Sequence, residues 1–185
     1  MTNWTWAMSF PPGPAMLWMV LGPAARSITR WQNSVMAERT RGYALRVDID
    51  AEAPRVWQVL IERRCMERWC APDARLTPRA GGSFSVSFER NLESQAHIDV
   101  FDAGRRIRLI YLPTPAMPAG ESAVVDDIIL EARPPQTVVR ILGSGFDAGP
   151  AHEAAARRHQ LGWRAALARL KVYIEKNLDR VEVPS

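Results

Sequence analysis

The chain has 185 residues, a formal net charge of +4 at pH 7, 47% hydrophobic residues and 24% charged residues, a balance typical of a single globular domain. From Met36 onward 22 basic residues stand against 20 acidic ones, which is too even for the clustered basic face of a nucleic-acid-binding protein. Two cysteines, Cys65 and Cys70, are too few for a disulfide framework or a zinc site, so we expect reduced thiols in a cytoplasmic protein.

The first 35 residues differ in composition from the rest of the chain. They contain four of the seven tryptophans and no Asp, Glu or Lys. Their apolar run at residues 15–22 is much shorter than the roughly 20 residues of a membrane span, and residues 1–14 lack the basic residue of a secretory signal. We expect residues 1–40 to be a poorly ordered extension. It is either a tryptophan-rich contact segment or the product of a start codon placed too far upstream, and we favour Met36 as the true start.

A strand and two short helices open the domain, which we place at residues 41–180. Apolar and charged residues alternate over residues 43–49, as in a strand with one buried face. Pro54 is followed by apolar residues spaced three and four apart, which predicts the start of a helix. A second short helix is predicted over residues 62–69. It ends before Pro72, because the residue that precedes a proline leaves the helical region.

Short segments of alternating polar and apolar residues follow, separated by turns rich in glycine and proline. Asp126 and Asp127 lie in one of these predicted strands. Consecutive side chains of a strand point to opposite faces, so the two carboxylates cannot act as a pair and one of them can point inward. The predicted strands cover residues 74–78, 83–88, 95–100, 106–111, 123–133 and 137–142.

A long amphipathic helix ends the domain. It is predicted to begin between Pro150 and Glu153 and to run for about 26 residues, near 40 Å, which leaves residues 181–185 as a tail. A helix of this length after antiparallel strands has to cover the sheet with its apolar stripe, which predicts an α+β fold. The stripe consists of Trp163, Leu167, Leu170, Ile174 and Leu178.

Five short segments carry a resemblance to a known family. They are Ala53-Pro54-Arg55-Val56-Trp57, Trp69, Arg79-Ala80-Gly81-Gly82-Ser83-Phe84, Ser144-Gly145-Phe146 and Gly162-Trp163. In this order they resemble the START-like, or SRPBCC, superfamily, and within it the homologues of the heat-shock-protein ATPase activator. The resemblance implies a helix-grip fold, in which a curved antiparallel sheet of six to seven strands wraps around a long C-terminal helix. Two short helices follow the first strand.

The resemblance also implies a cavity between the sheet and the long helix that holds a small apolar molecule. Aromatic side chains dominate most cores, so Trp57 and Phe84 are assigned to core packing. For Tyr111, Phe146 and Trp163, core packing and cavity lining are equally favoured. The expected ligand-binding residues are Trp69, Phe88, Tyr111, Phe146, Trp163 and Leu167.

The sequence departs from the family pattern at two positions that would face or rim this cavity. Gly143 stands before Ser144-Gly145-Phe146, where a histidine is common. Tyr111-Leu112 ends a strand that often ends in tryptophan. A ligand known for a relative therefore cannot be carried over to this chain.

Three histidines and one glycine remain as candidate functional residues. His152 and His159 are seven residues apart, about 10.5 Å along a helix, which is too far for shared zinc ligation. We assign both to a solvated face or to the rim of the cavity, and His97 to the exposed face of its strand. Gly162 is expected to permit a close approach of the long helix to a neighbouring element, so alanine there would destabilise the protein.

The leading hypothesis is a non-enzymatic protein that binds a small hydrophobic or amphipathic molecule, with no catalytic residue, metal or cofactor. One alternative is a co-chaperone-like activator of an ATPase that acts by protein–protein contact, through a protein partner or as a homodimer. Another is an enzyme similar to polyketide cyclases, which requires a titratable group inside the cavity. Asp126 or Asp127, with Tyr111, are the candidates for that group. No nucleic acid and no membrane span are expected.

Overall fold

The computed structural model of the chain describes residues 40–89, 92–114 and 117–180, except for a few side chains at strand ends. In these residues seven strands form one antiparallel sheet in the order β1-β7-β6-β5-β4-β3-β2. The strands are β1 (Thr40–Ile49), β2 (Asp73–Leu76), β3 (Ser83–Glu89), β4 (Leu92–Asp102), β5 (Arg106–Tyr111), β6 (Val125–Arg133) and β7 (Gln136–Asp147). The helices are α1 (Ala53–Ile61), α2 (Arg63–Trp69) and α3 (Pro150–Glu175). Residues 1–39 of the expected extension (1–40) and the expected tail, residues 181–185, lie outside the described part, whereas Thr40 begins β1.

The predicted helix-grip architecture is confirmed. The long helix α3 has the predicted 26 residues and packs on β1, β7 and α2. Four of the five predicted stripe residues are buried against the sheet, namely Trp163, Leu167, Leu170 and Ile174. The prediction for Leu178 is wrong: it is 44% exposed, because α3 ends at Glu175 and the stripe no longer faces the sheet beyond that point.

Both ends of α3 are fixed by local chemistry. Gly149 has a φ of 135°, and Pro150 occupies the first turn of the helix, where a missing N–H costs nothing. At the other end Arg55 donates to the Ile174 carbonyl oxygen at 2.8 Å and pairs with Asp179 at 2.6 Å. A cation at a helix C-terminus is favourable, so α1 anchors the end of the helix that covers the sheet.

Two details of the predicted strands are corrected. The last strand does not end at residue 142 but continues through Phe146 to Asp147, because Tyr43 and Arg41 of β1 pair with Gly143 and Phe146. The alternation over residues 95–100 would place Val100 on the same face as Ala96 and Ile98. Val100 instead pairs with Arg108 on the outer face, because the register of β4 shifts between Ile98 and Val100. The bulge turns Phe101 toward Trp57, with ring centroids 5.4 Å apart.

Among the residues that the structure describes, no helix is long and apolar enough to span a membrane. Within the same residues no group of three or more His, Cys, Asp or Glu side chains is placed to hold a metal ion.

Candidate functional site

A cavity of about 360 Å³ lies between the concave face of the sheet and α3. Its walls are largely apolar and include Phe84, Val86, Met117 and Ala166. The buried side chains Tyr111 and Trp163 mark its inner end. Its exposed lining residues, which mark the opening, are Glu93, Arg158, Leu161 and Gly162.

The carboxylate of Asp126 is fully buried and contacts three residues that line the cavity, Tyr111, His159 and Trp163. Its Oδ1 accepts a hydrogen bond from the Tyr43 hydroxyl at 2.6 Å. Its Oδ2 accepts from the Tyr111 hydroxyl at 3.0 Å and from the Trp163 indole N–H at 2.6 Å, and lies 2.7 Å from His159 Nε2. An ionised carboxylate only accepts hydrogen bonds, so Nε2 of His159 carries the proton in this arrangement.

The sheet register brings Tyr43 and Asp126 together across an intervening glycine. Gly143 of β7 pairs with Tyr43 of β1 on one side and with Asp126 of β6 on the other. A Cβ atom at Gly143 would overlap the Tyr43 ring. The ring therefore lies across β7 in the space that a side chain would fill, and this position brings its hydroxyl to the carboxylate.

Helix α3 supplies the other side of the cluster. His159 and Trp163 are four residues apart and so lie on the same face of the helix, one turn from each other. The His159 ring meets Tyr111 edge-on, with centroids 4.6 Å apart and planes at 89°. Phe84 stacks on Trp163 at 6.4 Å. Both helix side chains are held by rings from the sheet, which fixes their polar nitrogens on Asp126.

Four hydrogen bonds explain how a carboxylate tolerates full burial. Moving a charged group out of water costs several kcal/mol unless hydrogen bonds replace its hydration. Burial raises the pKa of the Tyr43 and Tyr111 hydroxyls, and the negative charge of Asp126 raises the pKa of both further. Each hydroxyl therefore keeps its proton and remains a donor to the carboxylate.

We expect the phenolate absorbance of the native protein to stay flat as the pH rises through 10, the ordinary tyrosine pKa. Tyr43, Tyr111 and Tyr173 are the three tyrosines of the chain, and the third has its pKa raised to about 12, by burial and then by Cys65. Because the folded pKa values lie above the unfolded value, stability is complete below pH 10 and falls above it. Absorbance and circular dichroism followed together against pH should change in one step.

A Tyr173→Phe variant serves as the control, because it leaves only the two tyrosines that contact Asp126. Gradual ionisation near pH 10 with a native circular dichroism spectrum would contradict the prediction.

The structure separates the six expected ligand-binding residues into three groups. Tyr111 and Trp163 line the cavity. Trp69, Phe146 and Leu167 are buried in the core instead and are not among its lining residues. The Trp69 indole donates to the Val59 carbonyl oxygen at 3.1 Å, which ties it to α1. Phe88 belongs to β3, but its side chain lies outside the described part of the chain.

Other assignments from the sequence have mixed outcomes. Phe84 packs in the core as expected but also lines the cavity. His97 is exposed, as predicted. His159 reaches the cavity, whereas His152 is half-buried and its Nε2 has no hydrogen-bond partner among the described residues.

The sequence prediction missed His159 and Tyr43 as members of the cluster, although a signal for each was present. Counting back four residues from Trp163 along the apolar stripe gives His159. Tyr43 opens the alternating pattern of β1 on its inward face. Of the two aspartates that the sequence left open, Asp126 points inward and contacts Tyr111, and Asp127 lies on the opposite face, paired with Arg106 at 2.8 Å.

Cys70 also lines the cavity but does not suit nucleophilic chemistry. Burial raises the pKa of its thiol to about 12, against a smaller lowering by Arg169. The thiolate is the reactive form of cysteine. Cys70 therefore contributes an apolar wall and not a reactive group.

The expectation that Gly162 permits a close helix approach is wrong. A Cβ atom built there would meet nothing within 4 Å, because the residue faces the cavity opening and solvent.

We therefore expect Gly162→Ala to stabilise the protein by up to about 1 kcal/mol through helix propensity. Urea unfolding of this variant and the wild type measures the change. A lower unfolding free energy would contradict the absence of a close neighbour.

Comparisons with known proteins identify the family and the fold of this domain. The model of the family described as Activator of Hsp90 ATPase homolog 1-like protein matches residues 50–175. No curated protein matches the chain at a significant level. Several solved structures resemble it, all below 25% identity, and these show the fold alone.

Protein MLL2253 from Mesorhizobium loti is 20% identical with a TM-score of 0.62, covering 77% of this chain and 100% of its own. The Aha1 dimer from Colwellia psychrerythraea is 16% identical with a TM-score of 0.61, covering 73% and 96%. CalU16 from Micromonospora echinospora is 19% identical with a TM-score of 0.57, covering 76% and 80%. With the matched residues spanning most of the helix-grip domain, the chain belongs to the Activator of Hsp90 ATPase homolog 1-like protein family.

Proposed function

We propose that the protein binds a small hydrophobic or amphipathic molecule in the cavity between the sheet and α3, without catalysing its conversion. The observation that carries this proposal is a cavity of about 360 Å³ that the packed core leaves open. Ligand pockets for small molecules measure roughly 300–1,000 Å³ and are mostly apolar with a few polar groups.

The distribution of polar groups supports binding by burial of apolar surface. The walls formed by Phe84, Val86, Met117 and Ala166 offer no polar side-chain atom. The hydroxyl of Tyr111 and the indole N–H of Trp163 are already committed to Asp126. The free energy of binding would come mainly from removing apolar surface from water, at about 25 cal/mol per Å².

Two neighbouring alanines of α3 provide a matched test. Ala166 is buried and lines the cavity, whereas Ala165 is exposed on the same turn. Leucine at position 166 would fill the cavity, and leucine at position 165 would point to solvent.

A thermal-shift screen against a library of small apolar compounds identifies a probe, and calorimetry measures its Kd for each variant. We expect Ala166→Leu to weaken binding at least about 10-fold, or about 1.4 kcal/mol, while Ala165→Leu leaves the Kd unchanged. Equal affinities of the two variants would show that the probe binds elsewhere, and no thermal shift with any compound would refute the proposal.

Contact with a heat-shock-protein ATPase is a second candidate function, favoured by the family to which the chain belongs. In this role the domain would act as a co-chaperone, alone or as a homodimer. A pull-down with a purified Hsp90-type ATPase and a measurement of its hydrolysis rate would test it. Neither binding nor stimulation at micromolar concentrations would remove this candidate.

We also propose that the protein resides in the cytoplasm. Cys65 and Cys70 are buried free thiols in the structure. Reduced cysteines suit a reducing compartment. Fractionation of cells that express the tagged protein would test the location.

A further inference from the structure

We infer that the ligand carries a phenol-like or enol-like hydroxyl group that donates a hydrogen bond to Nδ1 of His159. The inference rests on the proposed ligand-binding function and specifies the chemistry of the ligand at the inner end of the cavity. It is carried by three observations: His159 lines the cavity, its other ring nitrogen is committed to Asp126, and the remaining polar side chains around that carboxylate are committed as well.

The first step is the tautomer of His159. Its Nε2 lies 2.7 Å from Oδ2 of Asp126, and the carboxylate can only accept. Nε2 is then the protonated nitrogen, and in the neutral ring Nδ1 carries a lone pair. A carboxylate that holds one ring nitrogen in this way fixes both the tautomer and the orientation of an imidazole.

The second step is the availability of Nδ1. Among the residues that the structure describes, the one hydrogen bond of the His159 ring is the bond to Asp126. Within that part of the chain, the buried side-chain nitrogen without a hydrogen-bond partner is Nε2 of His152. Nδ1 of His159 also lacks a partner but does not belong to this buried class, so it is accessible. With 11% of the His159 side chain accessible and the ring on the cavity wall, Nδ1 is an acceptor that a bound molecule can reach beside Tyr111 and Trp163.

The third step is the chemistry that suits this acceptor. A ligand ether or ketone offers Nδ1 no proton, and a ligand carboxylate would bring a second negative charge next to buried Asp126. A hydroxyl group supplies the donor, and a weakly acidic hydroxyl gives the strongest bond to a basic nitrogen. The stacked Phe84 and Trp163 rings beside it favour an aromatic body by offset stacking.

The probes are 2-naphthol and 2-methoxynaphthalene, which share one aromatic body but differ in the hydroxyl donor. Calorimetry with the full chain should give a Kd for 2-naphthol at least about 10-fold lower, the equivalent of one buried hydrogen bond. In His159→Leu the two Kd values should converge. The control His97→Gln changes an exposed histidine of β4 and should retain the preference for 2-naphthol.

Nitrogen-15 NMR of the wild type keeps the test independent of any variant that fails to fold. The free protein should show His159 protonated at Nε2, and 2-naphthol should shift its Nδ1 resonance whereas 2-methoxynaphthalene should not. Equal affinities of the two probes, or the opposite tautomer, would overturn the inference and leave the proposed function standing. If 2-naphthol does not bind while a library compound without a hydroxyl group does, the inference is contradicted and the proposed function stands.

Discussion

Asp126→Leu is expected to lower the free energy of unfolding by about 3 to 5 kcal/mol, the cost of breaking a buried charged interaction from one side. Leucine has the same branched shape, but its methyl groups are larger than carboxylate oxygens and cannot accept hydrogen bonds, so some overpacking adds to the loss. The four donors of Tyr43, Tyr111, His159 and Trp163 would remain and would lose their acceptor. A buried donor without a partner costs about 1 to 3 kcal/mol. Because the Tyr43 and Tyr111 hydroxyls can rotate toward other acceptors, the total cost is smaller than four times this value.

Asp126→Asn should cost clearly less, about 1 to 2 kcal/mol. Its carbonyl oxygen can take the place of Oδ2, and its NH₂ group can donate to the Tyr43 hydroxyl, which then accepts. The charge is lost, and the Tyr43 hydroxyl proton loses its acceptor on residue 126. In guanidinium unfolding, the free energy of unfolding should therefore be lowest for Asp126→Leu, intermediate for Asp126→Asn and highest for the wild type.

Asp127 provides the matched control, because it is the next residue of the same strand on the opposite face. Its carboxylate pairs with Arg106 and Arg108, whose side chains are 36% and 35% exposed. Water can solvate both cations if the partner is lost, so Asp127→Asn should cost no more than about 1 kcal/mol. Equal losses at the two aspartates would contradict the role assigned to Asp126.

The elements of this fold could be predicted from local patterns in the sequence. Period-two alternation identified β1 and β5, and the spacing of Trp163, Leu167 and Leu170 identified α3, because burial of one face imposes these periods. Features that depend on pairing were not predictable. The bulge at Val100 and the extension of β7 through Phe146 arise from strand register, which a single strand does not encode.

Prediction of the candidate site from the sequence is limited in the same way. Strand alternation indicated that one of two aspartates points inward, near Tyr111. It could not indicate that Trp69, Phe146 and Leu167 fill core positions whereas Tyr111 and Trp163 border open space. Whether an apolar side chain faces a neighbour or a cavity depends on the distance between α3 and the sheet, which no local pattern contains.

The absence of a side chain at Gly143 allows the hydrogen-bonded cluster around Asp126 to form. The resemblance identified position 143 as a departure from the family pattern, since a histidine is common there. In the structure the Tyr43 ring covers that position, and its hydroxyl is a donor to Asp126. Glycine at 143 and tyrosine at 43 are therefore two parts of one arrangement, which makes their energies interdependent.

Gly143→Ala is expected to cost about 2 to 4 kcal/mol, since overpacking costs about 1 to 3 kcal/mol and a hydrogen bond to a charged group about 1.5 to 3. Its Cβ would force the Tyr43 ring away from β7 and break the bond to Asp126. The gain of about 0.5 to 1 kcal/mol from replacing a strand glycine is smaller than this loss. Urea unfolding measures the difference.

A double-mutant cycle identifies the cause of the loss. In a Tyr43→Ala background the ring is absent, so Gly143→Ala should cost almost nothing or stabilise slightly. In a Tyr43→Phe background the ring remains without its hydroxyl, so the overpacking cost should persist while the hydrogen-bond cost disappears. A cost for Gly143→Ala that is the same in all three backgrounds would mean that β7 itself excludes a side chain at this position. The Tyr43 ring would then lie over Gly143 as a consequence of the glycine and not as its reason.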